Sequence, residues 1–241
     1  MSEVEKIVVI PDLHGHADKL EQVVQNYDKN ETTFVSLGDV LDGGPAVVET
    51  VQILKGIGAV MLLGNHEWVA LAAMNDDEPE SVWREMYLKF GKKTFESYGV
   101  NRVDRSDRIL ALRERMSELG HLEYIESGKL YFETPEFIAV HAGLTDELWS
   151  SQQARLEQIE DIRKSGDYSS EPDQIFDQQH TLATERWTLS TLKTVVSGHA
   201  HNRQYIDDGT STALGRVKLA SNLSRYPLFV WESWTGNVVP Y

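Results

Sequence analysis

Ile7-Val8-Val9-Ile10-Pro11-Asp12-Leu13-His14-Gly15-His16 is the stretch on which the fold turns. It opens with an unbroken β-branched run that Pro11 ends. A run without alternation suits a strand buried on both faces, as in a mostly parallel sheet. Similar runs stand at 34–37, 59–63, 137–140 and 194–196. Two helices are expected between the first three. Over 17–27, Leu20, Val23 and Val24 recur at helical spacing; over 45–55, Val47, Val48, Val51 and Leu54 do so, with Pro45 placed for a first turn and Gly56 for a stop. The chain therefore begins βαβαβ. Ligands in open α/β sheets gather beyond the carboxyl ends of the strands, so the residues that follow each run carry the functional information.

Each run ends in polar residues. After the first come Asp12-Leu13-His14-Gly15, and after the second Gly38-Asp39-Val40-Leu41-Asp42-Gly43-Gly44. The third is followed by Gly64-Asn65-His66-Glu67, the fourth by His141-Ala142-Gly143-Leu144, and the fifth by Ser197-Gly198-His199-Ala200-His201. If the chain stays extended there, Asp12 with His14, and His199 with His201, share a face and can each grip one ion. Oxygen and imidazole donors suit Mn, Fe or Zn alike.

Composition narrows the function further. The 241 residues are 41% apolar and 25% charged, the balance of a soluble globular protein. With 38 Asp and Glu against 23 Lys and Arg, the net charge is −15, so neither nucleic acid nor a membrane surface is an expected partner. No cysteine is present, which excludes disulfides, thiolate catalysis and Cys-ligated metals. Residues 1–6 lack a basic segment followed by an apolar one, so a cytoplasmic location is expected.

Taken in order, the five motifs resemble those of calcineurin-like metallophosphoesterases, and more narrowly those of bacterial and phage phosphoprotein phosphatases, over most of residues 6–201. The resemblance implies a single α/β domain over 1–241, a two-sheet αββα sandwich with flanking helices. It also implies two divalent ions, with Mn²⁺ expected and Fe or Zn as alternatives. Asp39 would bridge them; Asp12 and His14 would hold one, and Asn65, His141 and His199 the other. His201 is expected to join the first ion, as the second His of a G-H-x-H motif does in the wider group. Two such ions clamp phosphoryl oxygens and make hydroxide available near neutral pH. His66 is the expected general acid for the leaving group, with Asp42 holding its imidazole.

One position departs from the narrower pattern: where that family has a phosphate-contacting Arg after the second Asp, this chain has Gly43. Arg186, in Thr184-Glu185-Arg186-Trp187, resembles the second phosphate-contacting Arg of bacterial relatives. The resemblance favours a phosphomonoesterase acting on phosphorylated protein or a small phosphate ester. A dinucleoside polyphosphate hydrolase of the diadenosine tetraphosphatase type is the alternative. A non-catalytic metal-binding regulatory module is a third reading, because of Gly43.

An insertion at about 75–133 carries helical stripes and reads as a cap. Val82, Met86 and Phe90, then Phe95 and Tyr98, are expected to pack as core, as are Ile109, Leu112, Met116 and Leu119. Arg102, Arg105 and Arg108 interleave with Asp104 and Asp107 and read as a solvated mixed-charge loop. Residues 150–179 offer one amphipathic stretch through Leu156, Ile159 and Ile162. The β-rich pieces 217–220, 228–231 and 237–239 are expected to close a second sheet. His121 and His180 read as surface or cap residues.

Overall fold

The first apolar run forms strand β1 (Lys6–Ile10), buried from Ile7 onward. A computed structural model describes residues 5–76, 78, 81–144, 148–168, 193–200, 216–220, 223 and 227–241. Helix α1 (Ala17–Gln25) buries Leu20, Val23 and Val24 and leads to β2 (Thr32–Ser36). Helix α2 (Val47–Gly56) then leads to β3 (Val60–Met61). Strands β1 to β3 pair in parallel, so the βαβαβ start is as the sequence implies.

The five runs do not share one sheet. The fourth is β5 (Phe137–Val140), which pairs antiparallel with β4 (Tyr131–Glu133) and parallel with β6 (Thr194–Ala200). Of the three closing pieces, only β7 (Arg216–Ala220) joins this second sheet; β8 (Phe229–Glu232) and β9 (Val238–Pro240) return antiparallel to the first, through β1. The orders are β3-β2-β1-β8-β9 and β4-β5-β6-β7. Ile7, Val9, Val35 and Leu37 on one side meet Phe137, Ala139, Val196, Val217 and Leu219 on the other, which gives the two-sheet sandwich. Alternate residues Val8, Ile10 and Phe34 face the helical layer instead. Strand pairing in space is non-local, and a period-two pattern cannot assign it.

Helix α3 (Asn65–Asn75) is buried all round from Glu67 to Met74, as an apolar helix without a polar face must be. Four helices follow: α4 (Val82–Phe90), α5 (Lys92–Ser97), α6 (Arg108–Glu118) and α7 (His121–Glu126). Phe95, Tyr98, Ile109, Leu112 and Met116 enter the same cluster as α1 to α3, as expected. The α4 stripe does not: Val82 is 72% exposed, Met86 38% and Phe90 37%, and the buried aromatic is Tyr87. Beyond β5, α8 (Trp149–Lys164) buries Leu156 and Arg163, whose guanidinium donates to the Glu126 and Gly128 carbonyls. Among the described residues no helix is long and apolar enough to cross a membrane.

His121, read from sequence as a surface or cap histidine, is fully buried at the start of α7. Its Nδ1 lies 2.9 Å from the Tyr98 hydroxyl and its Nε2 2.9 Å from Gln52 Oε1. A neutral ring satisfies both contacts, accepting from the hydroxyl and donating to the amide oxygen. Burial, with Lys55 nearby, lowers its pKa below 6.5. The unfolded chain thus takes up a proton that the folded chain resists. This contribution is complete above about pH 6.5 and is lost as pH falls below it. A His121→Asn variant is expected to lose less stability than the native chain between pH 7.5 and 5.5, measured as the urea midpoint; equal losses would show that this histidine does not set the slope.

Candidate metal centre

The turns beyond β1, β2 and β5 and the carboxyl end of β6 meet the start of α3 at one end of the sandwich. Asp39, 1% exposed, stands at their centre. His14 and His66 bring ring nitrogens to one side of its carboxylate, and His141 and His199 to the other. Within each set the donor atoms lie within 4.8 Å of one another. His14 Nε2 is 3.8 Å from Asp39 Oδ2, and His141 Nε2 is 3.6 Å from the same oxygen. His141 Nε2 also lies 3.0 Å from His199 Nδ1 and 3.1 Å from Asn65 Oδ1. One carboxylate between two nitrogen-rich sets is a donor arrangement that fits a pair of divalent ions.

Backbone carbonyls orient the rings. His14 Nδ1 lies 3.0 Å from the Leu41 carbonyl and His141 Nδ1 2.9 Å from that of Leu37, so each carries its proton on Nδ1 and turns a lone pair on Nε2 toward Asp39. Asp12, fully buried, accepts the His199 amide at 3.1 Å on both oxygens and lies 4.0 Å from His141 Nδ1. The expectation of regular extended chain past the first and fifth apolar runs fails, although β6 itself continues to Ala200. His14 has φ 42° and His199 φ 58°, and the β6–β7 register shifts between Ser197 and Ala200, so a turn after β1 and an irregularity within β6, not strand alternation, aim these rings. His201 and Arg186 lie outside the described residues.

His66 Nδ1 is 2.7 Å from Asp42 Oδ2. Asp42 is held in turn by Thr94, whose hydroxyl donates to Oδ1 at 2.6 Å and accepts the Asp42 amide at 3.0 Å. Burial opposes charge on His66, but Asp39 and Asp42 override it and raise the pKa to about 10. Burial likewise opposes charge on Asp39, and His141, His66 and His14 hold it ionised below the usual carboxylate range. His16, half-buried before α1, has its pKa lowered chiefly by burial.

Glu67 escaped the sequence reading as a functional residue. Its buried carboxylate accepts four backbone N–H groups: Asp39 at 2.6 Å and Gly64 at 3.0 Å on Oε2, Val40 at 2.9 Å and Leu41 at 3.0 Å on Oε1. Burial and Asp39 push its pKa up, while these donors favour the anion. The only sequence signal is its place three residues after Gly64, where a carboxylate can reach back to a helix N-terminus. Position 43 explains the missing Arg. Gly43 has φ 77°, and a Cβ there would lie 2.9 Å from His14 Cβ, so no side chain enters without moving a candidate ligand.

The family profile described as calcineurin-like phosphoesterase matches residues 5–203, and the chain belongs to that family. It is 27% identical over 168 residues to a symmetrical bis(5'-nucleosyl)-tetraphosphatase of Vibrio vulnificus strain CMCP6, covering 66% of this chain and 53% of that one. A protein of the same description from Vibrio campbellii is 23% identical over 198 residues, covering 76% and 65%. The chain thus spans between about half and two thirds of the length of these curated relatives. A cold-active protein-tyrosine phosphatase of a Shewanella species shares the fold with TM-score 0.62 at 15% identity, covering 99% of this chain and 80% of that one. A solved structure proposed to be a diadenosine tetraphosphatase shares it with TM-score 0.57 at 16% identity, covering 100% and 95%.

A Glu67→Gln substitution sets an amide N–H₂ against backbone N–H groups. It is expected to destabilise the fold by about 3 kcal/mol, the scale of lost hydrogen bonds to a buried charge, and to weaken Mn²⁺ binding. Urea unfolding and calorimetric titration check the two effects; an unchanged metal affinity would show that the Asp39 turn does not need this carboxylate.

Proposed function

We propose that this chain hydrolyses phosphoric anhydrides or esters with two divalent ions, and that its substrates are dinucleoside polyphosphates. The observation that carries the reading is the Asp39 carboxylate shared by two sets of nitrogen donors, with the hydrogen-bonded pair His66 and Asp42 beside them. Asp39 would bridge the ions. His14 and Asp12 would serve one, and Asn65, His141 and His199 the other; Mn²⁺ is the ion to try first. Ions at such donors supply Lewis acidity to phosphoryl oxygens and hydroxide near neutral pH.

The remaining work falls to the chain's own residues. His66 donates a proton to the departing oxygen from Nε2, because Nδ1 is committed to Asp42. Asp42, fixed by Thr94, keeps the ring aimed and stabilises its charged form. The side chain of His66 is 24% exposed, against 2% for His141, which suits a group that meets substrate. The relatives named as symmetrical tetraphosphatases support the dinucleotide alternative over the phosphoprotein reading favoured by the motifs.

Chelated protein reconstituted with Mn²⁺ is expected to cleave diadenosine tetraphosphate to ADP, and Asp39→Asn to abolish this. Turnover of a phosphoserine peptide without dinucleotide cleavage would overturn the substrate reading; no hydrolysis of either above free Mn²⁺ would favour the regulatory module. His66→Asn is expected to lower kcat by roughly 10²-fold or more on an alkyl phosphate, whose leaving oxygen needs a proton. The loss should be smaller on an aryl phosphate.

A further inference from the structure

The face of α4 that sequence periodicity assigns to the core is turned to solvent. Val82, Met86 and Phe90 are three of the five large apolar residues exposed among the described residues. Spaced at i, i+4 and i+8 on one helix, they form a continuous strip about 12 Å long, from the 1.5 Å rise per residue. One end is anchored at the candidate metal centre: the Phe90 ring stands edge-on to the His66 ring, with centroids 5.5 Å apart. Tyr87, buried behind it, fixes Phe90 at 5.7 Å in a second edge contact.

The same end of the strip is basic. Lys89, Lys92 and Lys93 lie within five residues in a chain of net charge −15. Lys89 precedes Phe90, and Lys93 precedes Thr94, which bonds Asp42 beside His66. Lys92 and Lys93 pair with Glu96 at 3.8 and 2.8 Å on the surface, and exposed pairs of this kind are weak enough to exchange for phosphate. An apolar strip ending in lysines beside a proton donor is complementary to a flat apolar group joined to a polyanion. A nucleotide has that chemistry.

We propose that the exposed face of α4 is a nucleoside-binding strip for the leaving half of the substrate. The base packs on Met86 and Val82, and Lys89 with its neighbours draws the polyphosphate toward His66. This rests on the proposed dinucleotide reading and deepens it. Base binding here would be specificity without chemistry, because neither Val82 nor Met86 touches the reacting atoms.

The test uses inhibition of aryl phosphate hydrolysis in the Mn²⁺-reconstituted full chain. ADP and pyrophosphate are compared as inhibitors of the native protein and of a Val82→Ser, Met86→Ser variant. ADP is expected to inhibit the native protein more tightly than pyrophosphate. The variant should weaken ADP by about tenfold, the scale of a few lost methylene contacts, and leave pyrophosphate inhibition and aryl phosphate turnover unchanged. Equal inhibition by ADP and pyrophosphate in the native protein would overturn the strip. So would an unchanged ADP constant in the variant, and so would a change of oligomeric state by light scattering without a change in that constant. Failure of the native protein to cleave diadenosine tetraphosphate would overturn the substrate reading, a result visible separately from the ADP comparison.

Discussion

The site depends on one carboxylate that touches no candidate ion. Glu67 gathers the amides of Asp39, Val40, Leu41 and Gly64. These groups belong to the turn after β2 and to the N-terminus of α3, which sequence separates by more than twenty residues. Buried amides without acceptors each cost on the order of 1–3 kcal/mol, so the turn can exist in the interior only with an acceptor of this capacity. An anion at the start of a helix is also favoured by the helix dipole. The His66 amide donates to Asp39 Oδ1 at 3.0 Å, so the same helix end that Glu67 anchors also orients the central carboxylate.

That anchoring offsets backbone strain. His14, Asp39, Asp42 and His199 all have φ between 42° and 62°, a region that residues with a Cβ seldom enter. Each is a functional candidate, and the turns support one another: the Leu13 and His14 amides both donate to the Asp39 carbonyl, and Gly44 donates to that of His14. Gly64 is needed for a different reason. A Cβ there would run into the Asp39 carboxylate, so the α3 N-terminus can approach only as glycine. These turns are therefore one interlocked unit, which accounts for candidate donor atoms within 4.8 Å of each other although no one regular element spans them.

Much of this was legible in the sequence for a physical reason. Short apolar runs rich in β-branched residues report strands locally, and the polar residues directly after them report the edge where side chains cluster, so β1, β2, β5 and β6 and the residues around Asp39 could be read one at a time. What failed was non-local or depended on orientation. Division of the runs between two sheets rests on pairings such as Val9 with Trp231, far apart in the chain. Thr94 reaches Asp42 across 52 residues and carries no motif. The α4 pattern gives the spacing of an apolar face and not the direction it points; Tyr87, one position from Met86, takes the interior instead. His121 lies in no motif, and its burial depends on partners 23 and 69 residues away.

Gly43 links these points. In the narrower phosphatase pattern, an Arg at that position would supply a planar donor for phosphate oxygens. Here the backbone is left-handed and His14 fills the space a Cβ would need, so the same turn that aims a candidate ligand excludes the Arg. With a net charge of −15, no general field can replace it. Positive charge near the site is therefore local: α4 and α5 place Lys89 next to Phe90, whose ring meets that of His66, and Lys93 next to Thr94, which bonds Asp42. Under the proposed dinucleotide reading, cations strung along a helix would match an extended polyanion better than a single phosphate on a protein.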